Sequence, residues 1–133
     1  GIPSVSYNLK KGGSALIDRD NSKQSIGELI HFSKRIHKNK WGGVIFPEGT
    51  RSRDGKPKKF AESGLKVMTK INKEGYLVPL TINNSWKIFQ YGKFPLGIGN
   101  PITITTHEPI KISSLPFDAL LEKTESIIKK HIK

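Results

Sequence analysis

Apolar residues recur at helical spacing in three stretches of the chain and alternate, or run briefly together, in several shorter ones. The first helical stretch sets Ile26, Leu29, Ile30, Ser33 and Ile36 on one face and predicts a helix over residues 22–38. Ser25 and Glu28 within it have the Ser-x-x-Glu spacing of a capping box. The second brings Leu65, Met68 and Ile71 together over residues 61–73, with Gly75 just past the end. The third, over 117–132, carries Phe117, Leu120, Leu121, Ile128 and Ile132. Strand-sized segments lie between. They are residues 14–18 after Gly12-Gly13, a short buried run at 44–46 after Gly42-Gly43, residues 77–83 interrupted by Pro79, and the alternating ITITT of 102–106. Residues 110–112 are expected to pair with that last strand, and residues 84–101, rich in Gly, Pro and aromatics, form a connection. Strands alternating with helices predict an α/β fold, a single domain with a central, largely parallel or mixed sheet flanked by helices.

Composition narrows the picture. The chain's 133 residues suit one domain with one core, and 35% hydrophobic with 26% charged residues is a globular rather than a disordered balance. There is no cysteine, which removes disulfides, thiolate metal sites and a cysteine nucleophile, and fits a reducing compartment. No apolar run is long enough to cross a bilayer, so no transmembrane segment is expected. The opening GIPSVSYNLKKGG lacks the apolar centre of a signal peptide. It also begins without Met and reads as the continuation of a longer chain.

Charge adds a partner class. Lys and Arg number 23 against 11 acids, a formal +12, which attracts nucleic acid, an anionic membrane or phosphorylated metabolites. The basic residues concentrate in VIFPEGTRSRDGKPKKF, residues 44–60. In open α/β sheets ligands sit beyond the carboxyl ends of strands, and this loop leaves such an end. Pro47 closes the strand because it has no N–H for a ladder. Gly49 permits close backbone approach or a positive φ, Thr50 and Ser52 offer hydroxyls, and Arg51 offers a planar fork that matches phosphate or carboxylate. Glu48 is either a counter-ion to these cations or a group that orients a substrate hydroxyl. The loop reads as an anion site with phosphate as its leading ligand; a solvated basic turn and a nucleic-acid patch are the competing readings.

FPEGTRS, residues 46–52, resembles the third signature block of the glycerolipid acyltransferases, the family of 1-acylglycerol-3-phosphate O-acyltransferases. FAESG at 60–64 is similar to that block's continuation into a helix. GGSALIDRDN at 12–21 resembles the second block, with Arg19 at its arginine, and LVPLTIN at 77–83 resembles the fourth, with Pro79 at its proline. The blocks stand in family order and span about residues 12–83. The family's first block, His-x4-Asp, is not found: the residue five after His31 is Ile36, after His37 it is Gly42, after His107 it is Ile112, and His131 is too near the end. The resemblance therefore implies that residues 1–133 are the later portion of one acyltransferase domain, whose catalytic pair lies upstream, and that this portion alone is inactive.

The resemblance also implies a mechanism. A His-Asp pair takes the proton from the free hydroxyl of a lysophosphatidate-like acceptor, which attacks a fatty acyl thioester on coenzyme A or acyl carrier protein. Arg51, with Arg19 close by, would hold the acceptor's phosphate in a pocket shaped by Glu48, Gly49, Thr50 and Ser52; Pro79 would shape the acyl or thioester side. No metal and no cofactor is implied, since the thioester is already activated. The implied partners are the lysophospholipid acceptor, the thioester carrier and an anionic membrane surface at its cytoplasmic face, toward which Lys56, Lys58 and Lys59 would contribute about 1 kcal/mol each. The alternative function is a non-catalytic basic module for nucleic acid or anionic lipid; the nucleic-acid form is disfavoured because aromatics are not interleaved with the cations. Taken singly, Arg19 reads as a surface ion-pair residue, Pro79 as an edge or bulge proline, the histidines as packing or surface residues, and Trp41 and Trp86 as core first and membrane-interface residues second.

Overall fold

The computed structural model describes residues 3–15, 17, 21–49, 52, 54–92 and 94–133. Its elements are α1 (Pro3–Lys11), α2 (Ser22–Asn39), α3 (Glu62–Ile71), β1 (Tyr76–Leu77), β2 (Leu80–Asn83), β3 (Thr103–Thr106), β4 (Ile110–Lys111) and α4 (Phe117–His131), with short 3-10 turns at Ser85–Phe89 and Ile112–Ser114. The contacts divide into two compact units, Gly1–Ile45 with Glu62–Lys73, and Phe46–Ala61 with Glu74–Lys133.

In the first unit α2 packs on α3 through the stripes read from the sequence. Ile36, Leu65 and Met68 are buried, and Ser33 and Gly64 let the helices approach. Each large side chain so buried contributes about 1.5–3 kcal/mol. The N-cap of α2 is Asn21, whose Oδ1 accepts from Gln24 N–H at 3.0 Å, so the helix starts before the Ser25–Glu28 box. The run 44–46 is not a strand. Ile45 turns inward, its Cδ1 filling the space a Cβ on Gly64 would need, while Val44 and Phe46 are 67% and 71% exposed. One inward residue out of three is enough to make an apolar run without any ladder. The helix α1 was not expected, since no apolar stripe announces it; Gly13 at φ +80° terminates it, and Arg35 Nη2 donates to the Gly13 carbonyl at 2.8 Å. Trp41, expected in the core, is 60% exposed.

In the second unit the strands form two antiparallel pairs, β1 with β4 and β2 with β3, so the described ladders are antiparallel rather than largely parallel. Residues 110–111 pair with Tyr76–Leu77 and not with residues 103–106. Pro79 causes the partition. It is fully buried and has no N–H to give, so the chain changes ladder partner across it, and its carbonyl accepts from His107 N–H at 3.0 Å. Within the β2–β3 ladder Thr81 and Asn83 are buried, whereas Leu80, Ile82 and Ile104 face outward. Buried Thr81 and Asn83 are satisfied: Thr81 Oγ1 meets His107 Nε2 at 2.8 Å, and Asn83 Nδ2 donates to the His131 carbonyl at 3.0 Å. The His107 and His131 rings lie 4.4 Å apart, so both histidines tie the end of α4 to this sheet.

Candidate functional site

The loop opened by FPEGTRS is closed at its neck by two hydrogen bonds. Ala61 N–H donates to the Pro47 carbonyl at 2.7 Å, and Lys58 N–H donates to Glu48 Oε2 at 3.1 Å. Pro47 stiffens one arm and Phe60, 4% exposed, anchors the other. Gly49 enters the loop at φ +69° after a turn in which its N–H donates to the Phe46 carbonyl at 3.1 Å, a conformation that a side chain would resist. Among the described residues, no atom outside its neighbours lies within 4 Å of where a Gly49 Cβ would stand.

The far side of the loop is organised by Asp54. Its Oδ1 accepts from Lys56 N–H at 3.1 Å and from Ser52 Oγ at 3.2 Å. This is an Asx-type turn, which the sequence reading did not single out. The Lys56 amide, ahead of smaller effects, holds the Asp54 carboxyl below its ordinary 3.8. A carboxylate stabilised in the folded state contributes above the ordinary value and loses that contribution only as pH falls through the lowered one, so the turn persists across neutral and mildly acidic pH. Gly55, at φ +81°, lies against Trp86: a Cβ there would stand 2.5 Å from the indole Nε1. Trp86 is thus half-buried as the backing of this loop, a contact between distant parts of the sequence that no local signal announces.

Arg19, Thr50 and Arg51 lie outside the described residues, so the expected approach of the two arginines does too. The structure brings together Glu48, Gly49 and Ser52 in the one loop and places Pro79 at the break between β1 and β2. Glu48 is engaged by a backbone amide of its own loop, a role neither of its two sequence readings included. Residues 47–61 hold five cations, Arg51, Arg53, Lys56, Lys58 and Lys59, against two acids, Glu48 and Asp54, and both acids accept from backbone N–H groups. Chemically the loop is rich in cations, and its described part is a turn pinned by its own Gly49, Lys56 and Lys58 amides and its Ser52 hydroxyl. Among the described residues no cluster of three or more His, Cys, Asp or Glu could hold a metal ion, and no helix is long and apolar enough to cross a membrane.

No curated protein matches the chain significantly. Among solved structures it is similar to the 1-acyl-sn-glycerophosphate (LPA) acyltransferase PlsC from Thermotoga maritima, with a TM-score of 0.75 and 23% identity over 98% of this chain. That likeness shows an α/β acyltransferase fold, and this chain spans 51% of that protein's length. The acyltransferase family model matches residues 1–83, which include the three blocks read from the sequence. The chain belongs to the acyltransferase family.

Proposed function

We propose that the protein serves transfer of a fatty acyl group from a coenzyme A or acyl-carrier-protein thioester to the free hydroxyl of a lysophosphatidate-like acceptor in phospholipid biosynthesis, and that residues 46–61 hold the acceptor's phosphate. The observation that carries this is the closed loop neck. With Glu48 accepting from Lys58 N–H and Asp54 from Lys56 N–H, the described part of the loop is a fixed turn, the kind of frame a phosphate ligand needs. Arg51 is the expected bidentate partner and Arg19 the second cation; Glu48, Gly49, Thr50 and Ser52 shape the pocket, and Pro79 borders the acyl side. The loop's lysines face an anionic membrane that the protein approaches peripherally.

No histidine of the chain has an Asp five residues on, so these residues are assigned the acceptor grip and none of them the base. The chain by itself is accordingly expected to bind acceptor without transferring an acyl group. Calorimetric titration tests the reading. Lysophosphatidate is expected to bind at least about 100-fold more tightly than monoacylglycerol, which lacks only the phosphate. Equal affinity for the two would show that the loop does not read phosphate.

A further inference from the structure

Residues 89–98, FQYGKFPLGI, display large apolar side chains to water: Phe94 is 88% exposed and Ile98 91%, with Phe89, Tyr91 and Leu96 also exposed. A built scaffold holds them there. Asn84 Nδ2 donates to the Pro101 carbonyl at 3.1 Å across the base of the loop, and Gly97 N–H donates to the Ile88 carbonyl at 2.8 Å further out. A Cβ on Gly97 would overlap the Lys87 carbonyl oxygen, so the two arms approach more closely than any side chain permits. Gly92 N–H, bonded to the Phe89 carbonyl at 3.0 Å, turns the tip. Fixed exposure of several large apolar groups marks an interaction surface.

Charge selects the occupant. From residue 75 to residue 107 there is no Asp or Glu, while Lys87 and Lys93 lie within the stretch and the whole chain carries +12. Aromatic and aliphatic residues at a loop tip, with lysines nearby and acids absent, match the boundary between acyl chains and anionic headgroups. We propose that residues 89–98 are a membrane-docking loop that inserts Phe94 and Ile98 into an anionic bilayer. The choice of a bilayer over a protein groove rests on the proposed lipid acceptor. The loop would bring the protein to the surface where that acceptor resides.

The absence of cysteine makes the test direct. Ile98→Cys is labelled with an environment-sensitive nitrobenzoxadiazole dye and mixed with vesicles of phosphatidylcholine, with or without phosphatidylglycerol. The label is expected to brighten and shift to the blue on the anionic vesicles, while the same label at Glu122→Cys on α4 stays water-like. The double variant Phe94→Ser/Ile98→Ser is expected to partition roughly 10-fold or more weakly than the parent and to bind glycerol 3-phosphate as the parent does. A label that remains in water on anionic vesicles, a double variant that partitions like the parent, or shielding of the label by self-association without lipid would each overturn the proposal. Insertion of the label by a chain that does not bind glycerol 3-phosphate would leave the docking loop standing and remove the phosphate grip. Binding of glycerol 3-phosphate with the label in water would do the converse.

Discussion

Arg51→Ala is expected to weaken lysophosphatidate binding by roughly 10- to 100-fold while changing acyl-CoA binding less than about threefold. The magnitude follows from the chemistry of the fork. Charge-assisted hydrogen bonds are worth about 1.5–3 kcal/mol each in net terms, and a bidentate pair adds geometric selectivity that a single ammonium lacks. Arg51→Lys should therefore recover part of the loss and not all of it. Titration of both ligands against parent and variants checks this. Equal weakening of acceptor and thioester would mean that residue 51 contributes only general positive charge, and the assigned role would fall.

The second large effect is expected at Glu48. Its carboxylate accepts from Lys58 N–H at the loop neck, and Glu48→Ala leaves that amide to water and the neck to a single backbone bond between residues 47 and 61. Because this bond is largely solvent-exposed, its loss is placed near 1 kcal/mol rather than at the top of the range for charged partners, and acceptor binding should fall about five- to tenfold as the loop opens. Glu48→Gln keeps an acceptor oxygen and should restore most of the affinity. A glutamine variant as weak as the alanine one would show that the negative charge itself matters, as it would for a group orienting the acceptor's hydroxyl. Hydrogen exchange at the Lys58 amide separates the two: it should accelerate in Glu48→Ala and stay near the parent rate in Glu48→Gln.

The helices α2, α3 and α4 were legible because their periodicity survives in sequence. Ile36, Leu65, Met68 and Leu120 lie on the faces their spacing assigned and are buried there. The Pro79 break was legible for a covalent reason, its missing N–H. What was not legible is partner choice. Two-residue strands such as β1 and β4 carry no register information, so the pairing of Tyr76–Leu77 with Ile110–Lys111 depends on how the chain returns rather than on any local pattern. Residues 44–46 misled because an apolar run does not reveal whether it is buried by a ladder or by one inward side chain, here Ile45 against Gly64.

The site divides the same way. Gly49 and the loop's cations stand out as residue types, and Gly49 does adopt the positive φ that glycine favours. The parts that shape the loop, Glu48 on Lys58 N–H, Asp54 on Lys56 N–H and Trp86 behind Gly55, are backbone or long-range contacts. An acid close to several cations looks like a counter-ion in sequence, since nothing in the sequence marks which backbone amide a folded loop will turn toward it. The blocks of the glycerolipid acyltransferases pointed to the right family, and the residues that hold its loop in shape came only with the fold.

Amide chemical shifts, followed by two-dimensional NMR as glycerol 3-phosphate is added to the chain, locate the phosphate site without assuming a reaction. The expected result is saturable perturbation concentrated in residues 46–61, strongest at Gly49, Thr50, Arg51 and Ser52, and lost in Arg51→Ala. Weak, non-saturating shifts spread over the lysines of α4 and the rest of the basic surface, with the 46–61 loop unmoved, would contradict the assignment of this loop as the phosphate grip.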